Sequence, residues 1–314
     1  MSSSKLAFIF PGQGSQKVGM LANMAAAHPE IEQTFAEASA ILGYDAWSLI
    51  QDGPQELLNL TEKTQPMLLT ASVALWRVWQ TQNSEQPVVM AGHSLGEWSA
   101  LVCSGVVDFK DAVKLVQLRG KYMQEAVPEG VGSMAAIIGL DDDAVLAVCE
   151  EAAGDEVVAA VNFNSPAQIV IAGHVNAVDR ACILSKEKGA KKTMPLSVSA
   201  PFHSSLLRPA ADKLAIEIDK VVFNKPLYPI VHNVHAATES KPKLIKGLMI
   251  EQIYHPVRWV ECMQAIAVEG VTQFVECGPG KVLTGLTKRI DRSLACATIE
   301  SPGGLAAVFE SINA

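Results

Sequence analysis

A chain of 314 residues that is 49% hydrophobic and only 18% charged can bury a sizeable core, which excludes a largely disordered protein. Its formal net charge of −8 argues against nucleic acid as the principal partner. No apolar run is long enough to span a bilayer or to form a signal-peptide core, so a cytoplasmic protein without membrane association is expected.

The six cysteines, at 103, 149, 182, 262, 277 and 296, are scattered and form no C-x-x-C pair. They fit a reducing compartment and suggest neither a disulfide frame nor a metal site. Leu6-Ala7-Phe8-Ile9-Phe10 predicts a central strand, with Pro11-Gly12-Gln13-Gly14-Ser15-Gln16 as the loop at its carboxyl end. That loop fails both phosphate-binding patterns: Lys17 stands where one needs glycine, and Met20 where the other needs lysine. Helical patterning runs from about Met20 to Ala40, followed by a Gly-Tyr-Asp loop and a short segment near Gln55 to Leu60. Thr64-Gln65-Pro66 predicts a turn from which Pro66 opens a helix to about Gln82.

Val88 and Val89 lead into Gly92-His93-Ser94-Leu95-Gly96, a G-x-S-x-G match with a strand before it and an apolar helix after it. A turn this tight exposes the serine hydroxyl beside the first helical N–H groups, at the positive end of the helix dipole. Ser94 is the candidate nucleophile. Asp108 predicts the cap of the next helix, in which Phe109, Ala112, Leu115, Val116, Met123 and Ala126 share one face. Arg119 falls within about 30° of the midline of that apolar face. A guanidinium there needs an anion, and a structural salt bridge is the plainer explanation for it.

From Ser133 to Ser199 the pattern is β-α-β-β-α-β, the order of a ferredoxin-like unit. Its strands are expected at 134–138, 157–162, 168–172 and 192–198, and its helices at 141–153 and 176–189. The expected architecture is therefore α/β: a large α/β-hydrolase-like domain (1–128 and 199–314) with a mostly parallel sheet, and an inserted ferredoxin-like subdomain (129–198). After the return come a helix over 206–222, strands at 227–231 and 272–276, and helices before Tyr254, over 259–267 and through Ile290.

Ser94 needs a base, and histidine has the right basicity for that work. His203, in Ser199-Ala200-Pro201-Phe202-His203-Ser204, follows the nucleophile in sequence as it does in strand–elbow–helix hydrolases. His93 sits in the elbow with its side chain expected to point away from the hydroxyl. His232 and His235 lack further metal-ligand partners and are expected at the surface or a strand end. No Asp or Glu stands in an obvious elbow between Ser94 and His203, so either a distant carboxylate or a neutral acceptor orients the imidazole.

These residues resemble the malonyl-CoA:acyl carrier protein transacylases of bacterial fatty acid synthesis, over essentially the whole chain. The matching pieces include Phe10-Pro11-Gly12-Gln13-Gly14, Thr64-Gln65-Pro66, Gly92-His93-Ser94-Leu95-Gly96-Glu97, Gln117-Leu118-Arg119-Gly120, Ala200-Pro201-Phe202-His203-Ser204 and Glu276-Cys277-Gly278-Pro279-Gly280. Phe202 before the histidine resembles the malonyl-type sequence, while Trp98 and Ser99 stand where many relatives have Tyr and Ala. The resemblance implies Ser94 as nucleophile and His203 as base, with the backbone carbonyl of Gln252 as the acceptor for His203. It implies an oxyanion hole from the backbone N–H groups of Gln13 and Leu95. Arg119, with Gln65 beside it, would hold the malonyl carboxylate. The implied substrates are malonyl-CoA and the phosphopantetheine thiol of holo-acyl carrier protein, with no metal or redox cofactor. A serine esterase or thioesterase of related fold is the alternative from the residues alone, and a non-catalytic carrier-binding module a weaker one.

Overall fold

Five consecutive apolar residues, Leu6–Phe10, form a strand with every side chain buried, as a strand covered on both faces must. The computed structural model describes residues 5–82, 85–198 and 200–313. The opening Met1-Ser2-Ser3-Ser4 and the expected junction at Ser199 lie outside the described residues. The strands are β1 (Leu6–Phe10), β2 (Val89–Gly92), β3 (Gly132–Ile138), β4 (Val158–Ser165), β5 (Gln168–His174), β6 (Lys192–Pro195), β7 (Ile230–Val231), β8 (Gln273–Glu276) and β9 (Ala295–Thr298).

They make two sheets. One is parallel throughout, in the order β7-β2-β1-β8-β9. The other is antiparallel, in the order β4-β5-β3-β6. Phe10 stands opposite Gly92, and Ile9 opposite Glu276, so β1, β2 and β8 end at the same height. The loops that follow these three strands therefore emerge together at the carboxyl edge, where sites in parallel sheets form.

Several elements differ from the sequence pattern. The predicted helix over 20–40 is two helices, Ala22–Ala27 and Glu30–Leu42, because His28 is extended and Pro29 starts the second. A helix at Ala46–Asp52, which the pattern did not announce, is capped by Asp45 through the Ser48 N–H at 2.9 Å. The helix expected to open at Pro66 begins five residues earlier, as Thr61–Gln82, with Pro66 inside it. A proline this near the start forfeits one intrahelical bond and leaves the first turn intact. β7 keeps only two of its five expected residues, since Pro229 has no N–H to give a ladder. The chain ends with an unpredicted edge strand, β9, and the helix Pro302–Asn313.

The helix Phe109–Glu125 is the one its pattern predicts: Asp108 accepts from the Lys110 N–H, and Phe109, Ala112, Leu115, Val116 and Met123 are buried. Gly120 lets it approach Thr61–Gln82 closely, because a Cβ there would lie 2.6 Å from the Thr61 carbonyl oxygen. That approach sets Gln65 beside Arg119. Among the described residues no helix is long and apolar enough to cross a membrane.

Candidate active site

The elbow after β2 is compressed until only glycine fits on either side of Ser94. A Cβ on Gly92 would lie 1.9 Å from the Gly96 carbonyl carbon, and one on Gly96 would lie 2.0 Å from the Phe10 oxygen. Between them Ser94 takes φ 52° and ψ −108°, a conformation that costs a side-chain-bearing residue roughly 1–3 kcal/mol. His203 also has positive φ, 63°. Strain at both residues is maintained by what they touch.

Ser94 Oγ lies 2.7 Å from His203 Nε2, and His203 Nδ1 lies 2.7 Å from the backbone oxygen of Gln252. A carbonyl can only accept, so Nδ1 carries the proton and Nε2 presents its lone pair to the serine. The tautomer a general base needs is fixed without a carboxylate. Burial, and then the charge of Arg119, push the pKa of His203 down to about 3, against which the bonded carbonyl of Gln252 acts. His203 is thus neutral at ordinary pH.

Arg119 is 1% exposed and, among the described residues, the only buried Lys or Arg. Its Nη1 donates to Gln65 Oε1 (2.8 Å), and its Nη2 to Gln252 Oε1 (2.9 Å) and Ser94 Oγ (3.3 Å). Its Nε has no partner among the described residues, and no carboxylate pairs with it directly. Burial lowers its pKa to about 10, with the charge of Glu97 acting in the opposite direction. The structural salt bridge that composition favours is absent here. A charged guanidinium held by three neutral oxygens, one of them Ser94 Oγ at 3.3 Å, is free to take a carboxylate.

Leu95 opens the helix Leu95–Cys103 directly behind Ser94. Gln13 lines the cavity in front of it, its side chain tied back to Thr61 Oγ1 at 3.2 Å. The cavity brings Ser94, His203, Gln65 and Phe202 against Met134 of β3, Val170 of β5 and Leu196 just after β6. The sequence-derived residues thus meet at one place.

Further residues surround the site, and sequence reasoning gave none of them a role in it. His93 does turn away from the serine hydroxyl, as expected, and bonds Asn164 Oδ1 of β4 at 2.7 Å. Asn233 accepts from the Ser94 N–H (2.8 Å) and donates to Gly92 O (2.7 Å), bracing the elbow from both ends. Glu97 is wholly buried, 2.7 Å from His232 Nδ1. His232 directly follows β7, at a strand end as expected, yet it is wholly buried and not at the surface; a buried carboxylate holds it inside. The signal available was Glu97 itself, the one charge in the apolar run Leu95-Gly96-Glu97-Trp98-Ser99-Ala100-Leu101. Among the described residues no group of three His, Cys, Asp or Glu could hold a metal ion.

The acyl transferase domain family matches residues 7–301. The chain belongs to that family. It is 58% identical over 307 residues to the malonyl CoA-acyl carrier protein transacylase of Escherichia coli K12, covering 98% of this chain and 99% of that one. An acyl carrier protein S-malonyltransferase from Vibrio cholerae has the same fold, with a TM-score of 0.96, 57% identity, and 97% and 100% of the two chains covered. A malonyl-transacylase solved in complex with a type II PKS acyl-carrier protein superposes with a TM-score of 0.97 at 54% identity, covering 98% and 100%. The mixed α/β architecture, one parallel sheet and one antiparallel, is that of these acyl transferases.

Proposed function

We propose that this acyl transferase moves malonyl from malonyl-CoA to the phosphopantetheine thiol of holo-acyl carrier protein in two steps, through a malonyl ester on Ser94. The transferase activity, the malonyl donor and the carrier acceptor follow from the family and from relatives at this level of identity. The observation that carries the mechanism is the chain Ser94 Oγ, His203 Nε2, His203 Nδ1, Gln252 O, with 2.7 Å at both links.

In the first step Ser94 Oγ attacks the thioester carbonyl while His203 Nε2 takes its proton. The oxyanion meets the backbone N–H groups of Leu95, at the start of the helix, and of Gln13, in the loop after β1. Collapse expels the thiolate of CoA, which takes the proton back from His203. The second step is the reverse, with the carrier's thiol giving its proton to His203 and attacking the serine ester. A malonyl carboxylate against Arg119 offsets the charge that depresses the basicity of His203, so the base strengthens when the right substrate is bound. Thiols leave and attack in both steps, so the scheme uses no metal or redox cofactor.

The parallel-sheet unit (1–128 and 199–314) is assigned as a hydrolase-like catalytic domain and 129–198 as a ferredoxin-like insertion. The β-α-β-β-α-β order and the strand order β4-β5-β3-β6 support the second description. The cavity between them is the channel for the pantetheine arm, which CoA and the carrier share. A reducing cytoplasm suits six unpaired cysteines.

Isotope exchange tests the two-step scheme. Labelled CoA should enter malonyl-CoA in the absence of any carrier, at a rate close to that of the full reaction. Exchange that appears only when carrier is added would mean direct transfer in a ternary complex.

A further inference from the structure

Behind the acyl site lies a carboxylate that the reaction as described does not use. Glu97 is wholly buried in the first turn of the helix that follows Ser94. Its Oε1 accepts from His232 Nδ1 at 2.7 Å; its Oε2 accepts from the Asn233 N–H at 3.1 Å and from Gln252 Nε2 at 2.7 Å. The other end of the same Gln252 amide accepts from Arg119 Nη2 at 2.9 Å. One amide dipole therefore separates the two charges, its oxygen on the cation and its N–H on the anion. Among the described residues Glu276 is the only other buried carboxylate, and it is spent on the Leu283 and Thr284 N–H groups of another helix.

This arrangement has a consequence for substrate choice. A malonyl carboxylate entering beside Arg119 meets the guanidinium in front and the negative charge of Glu97 behind it. An acetyl group meets neither effect. We propose that Glu97 is a counter-charge that offsets Arg119 in the empty site and, through its charge, weakens the enzyme's preference for acyl groups bearing a free carboxylate. It is a positioning and specificity residue that touches no reacting atom, and the proposal rests on Arg119 being the seat of the acyl carboxylate. A weaker grip would serve the second step, in which the same malonyl group has to leave.

Glu97→Gln isolates the charge. The remaining carbonyl oxygen can face the Asn233 and Gln252 donors, and the new NH2 can face His232, whose Nδ1 accepts in the other tautomer. The measurement is kcat/KM for malonyl-CoA and acetyl-CoA in wild type, Glu97→Gln, Glu97→Asp and Arg119→Ala. Loss of folded enzyme would lower both substrates and leave their ratio unmoved. Glu97→Gln should raise the malonyl-to-acetyl ratio by about three- to tenfold, the size of a screened charge one side chain away. Glu97→Asp, which keeps the charge, should leave the ratio within about twofold of wild type. If Glu97→Gln does not fold, Glu97→Ala is the neutral replacement, water taking the three vacated donors, with the same rise expected. An unchanged or lower ratio in the neutral variant overturns the proposal, as does an equal rise in Glu97→Asp. Arg119→Ala separates the two ideas: if it leaves the ratio at its wild-type value, the seat itself is misassigned. If it collapses the ratio while the neutral Glu97 variant does not raise it, only the role of Glu97 falls.

Discussion

His203→Ala is expected to lower kcat/KM for malonyl-CoA by roughly 10²- to 10⁴-fold, the range a positioned general base contributes. The variant should fold, since the imidazole makes two hydrogen bonds, one to the nucleophile and one to a backbone carbonyl. Neutral replacement of any single Asp or Glu should cost much less. The imidazole is oriented by a peptide oxygen, and the buried acid Glu97 is linked to it only through Gln252. The same base leaves a signature in the pH profile. A histidine whose pKa is pushed down to about 3 stays unprotonated as pH falls from 7.5 to 5.5. An ordinary histidine of pKa about 6.5 would lose about tenfold of its basic form by pH 5.5. The profile of kcat/KM, which reports the free enzyme, should therefore show no step near 6.5. A step there, or one carboxylate as indispensable as His203, would restore an acid-containing triad.

Arg119→Ala should abolish the choice between acyl groups. On the proposed seat, a malonyl carboxylate pairs with the guanidinium, whereas acetyl leaves it buried with only the indirect counter-charge of Glu97. Removing one side of a buried charged pair costs about 2–5 kcal/mol. At about 1.4 kcal/mol per tenfold, that is a preference of roughly 10¹·⁵ to 10³·⁵ for malonyl. Malonyl transfer should fall by that factor in Arg119→Ala while acetyl transfer holds or rises. Arg119→Lys should recover part of it, because an ammonium supplies charge without two parallel donors. Steady-state kinetics with both thioesters, alongside a thermal melt, decide the matter. Equal loss with both substrates would make Arg119 a structural residue.

How far the sequence carried the account depended on the range of the interactions involved. β1, the elbow, the capped helix Phe109–Glu125 and the β-α-β-β-α-β unit were legible because each is set by local periodicity, caps and glycine. The inward position of Arg119 was legible for the same reason. Whether that cation had a structural partner was not, because its contacts Gln65 and Gln252 lie 54 and 133 residues away. Glu97 was hidden in the same way, its contacts being Asn233 and Gln252, 136 and 155 residues distant. His232 was read as a surface or strand-end residue; the strand end was right, and its burial was not legible for want of that carboxylate. Pro66 misled because a proline at the sixth position of a helix looks, in sequence, like a proline at the first. The edge strand β9 is Ala-Cys-Ala-Thr, half-exposed and without alternation, so no period announces it.

The central claim is that the acyl group rests on Ser94 between donor and carrier. Intact-protein mass spectrometry after brief incubation with malonyl-CoA alone tests it most directly, with peptide mapping to locate the label. One malonyl group is expected, on Ser94, absent from Ser94→Ala and discharged onto holo-acyl carrier protein when that is added. A label on another residue, or full transfer to the carrier with the enzyme never labelled, would contradict it.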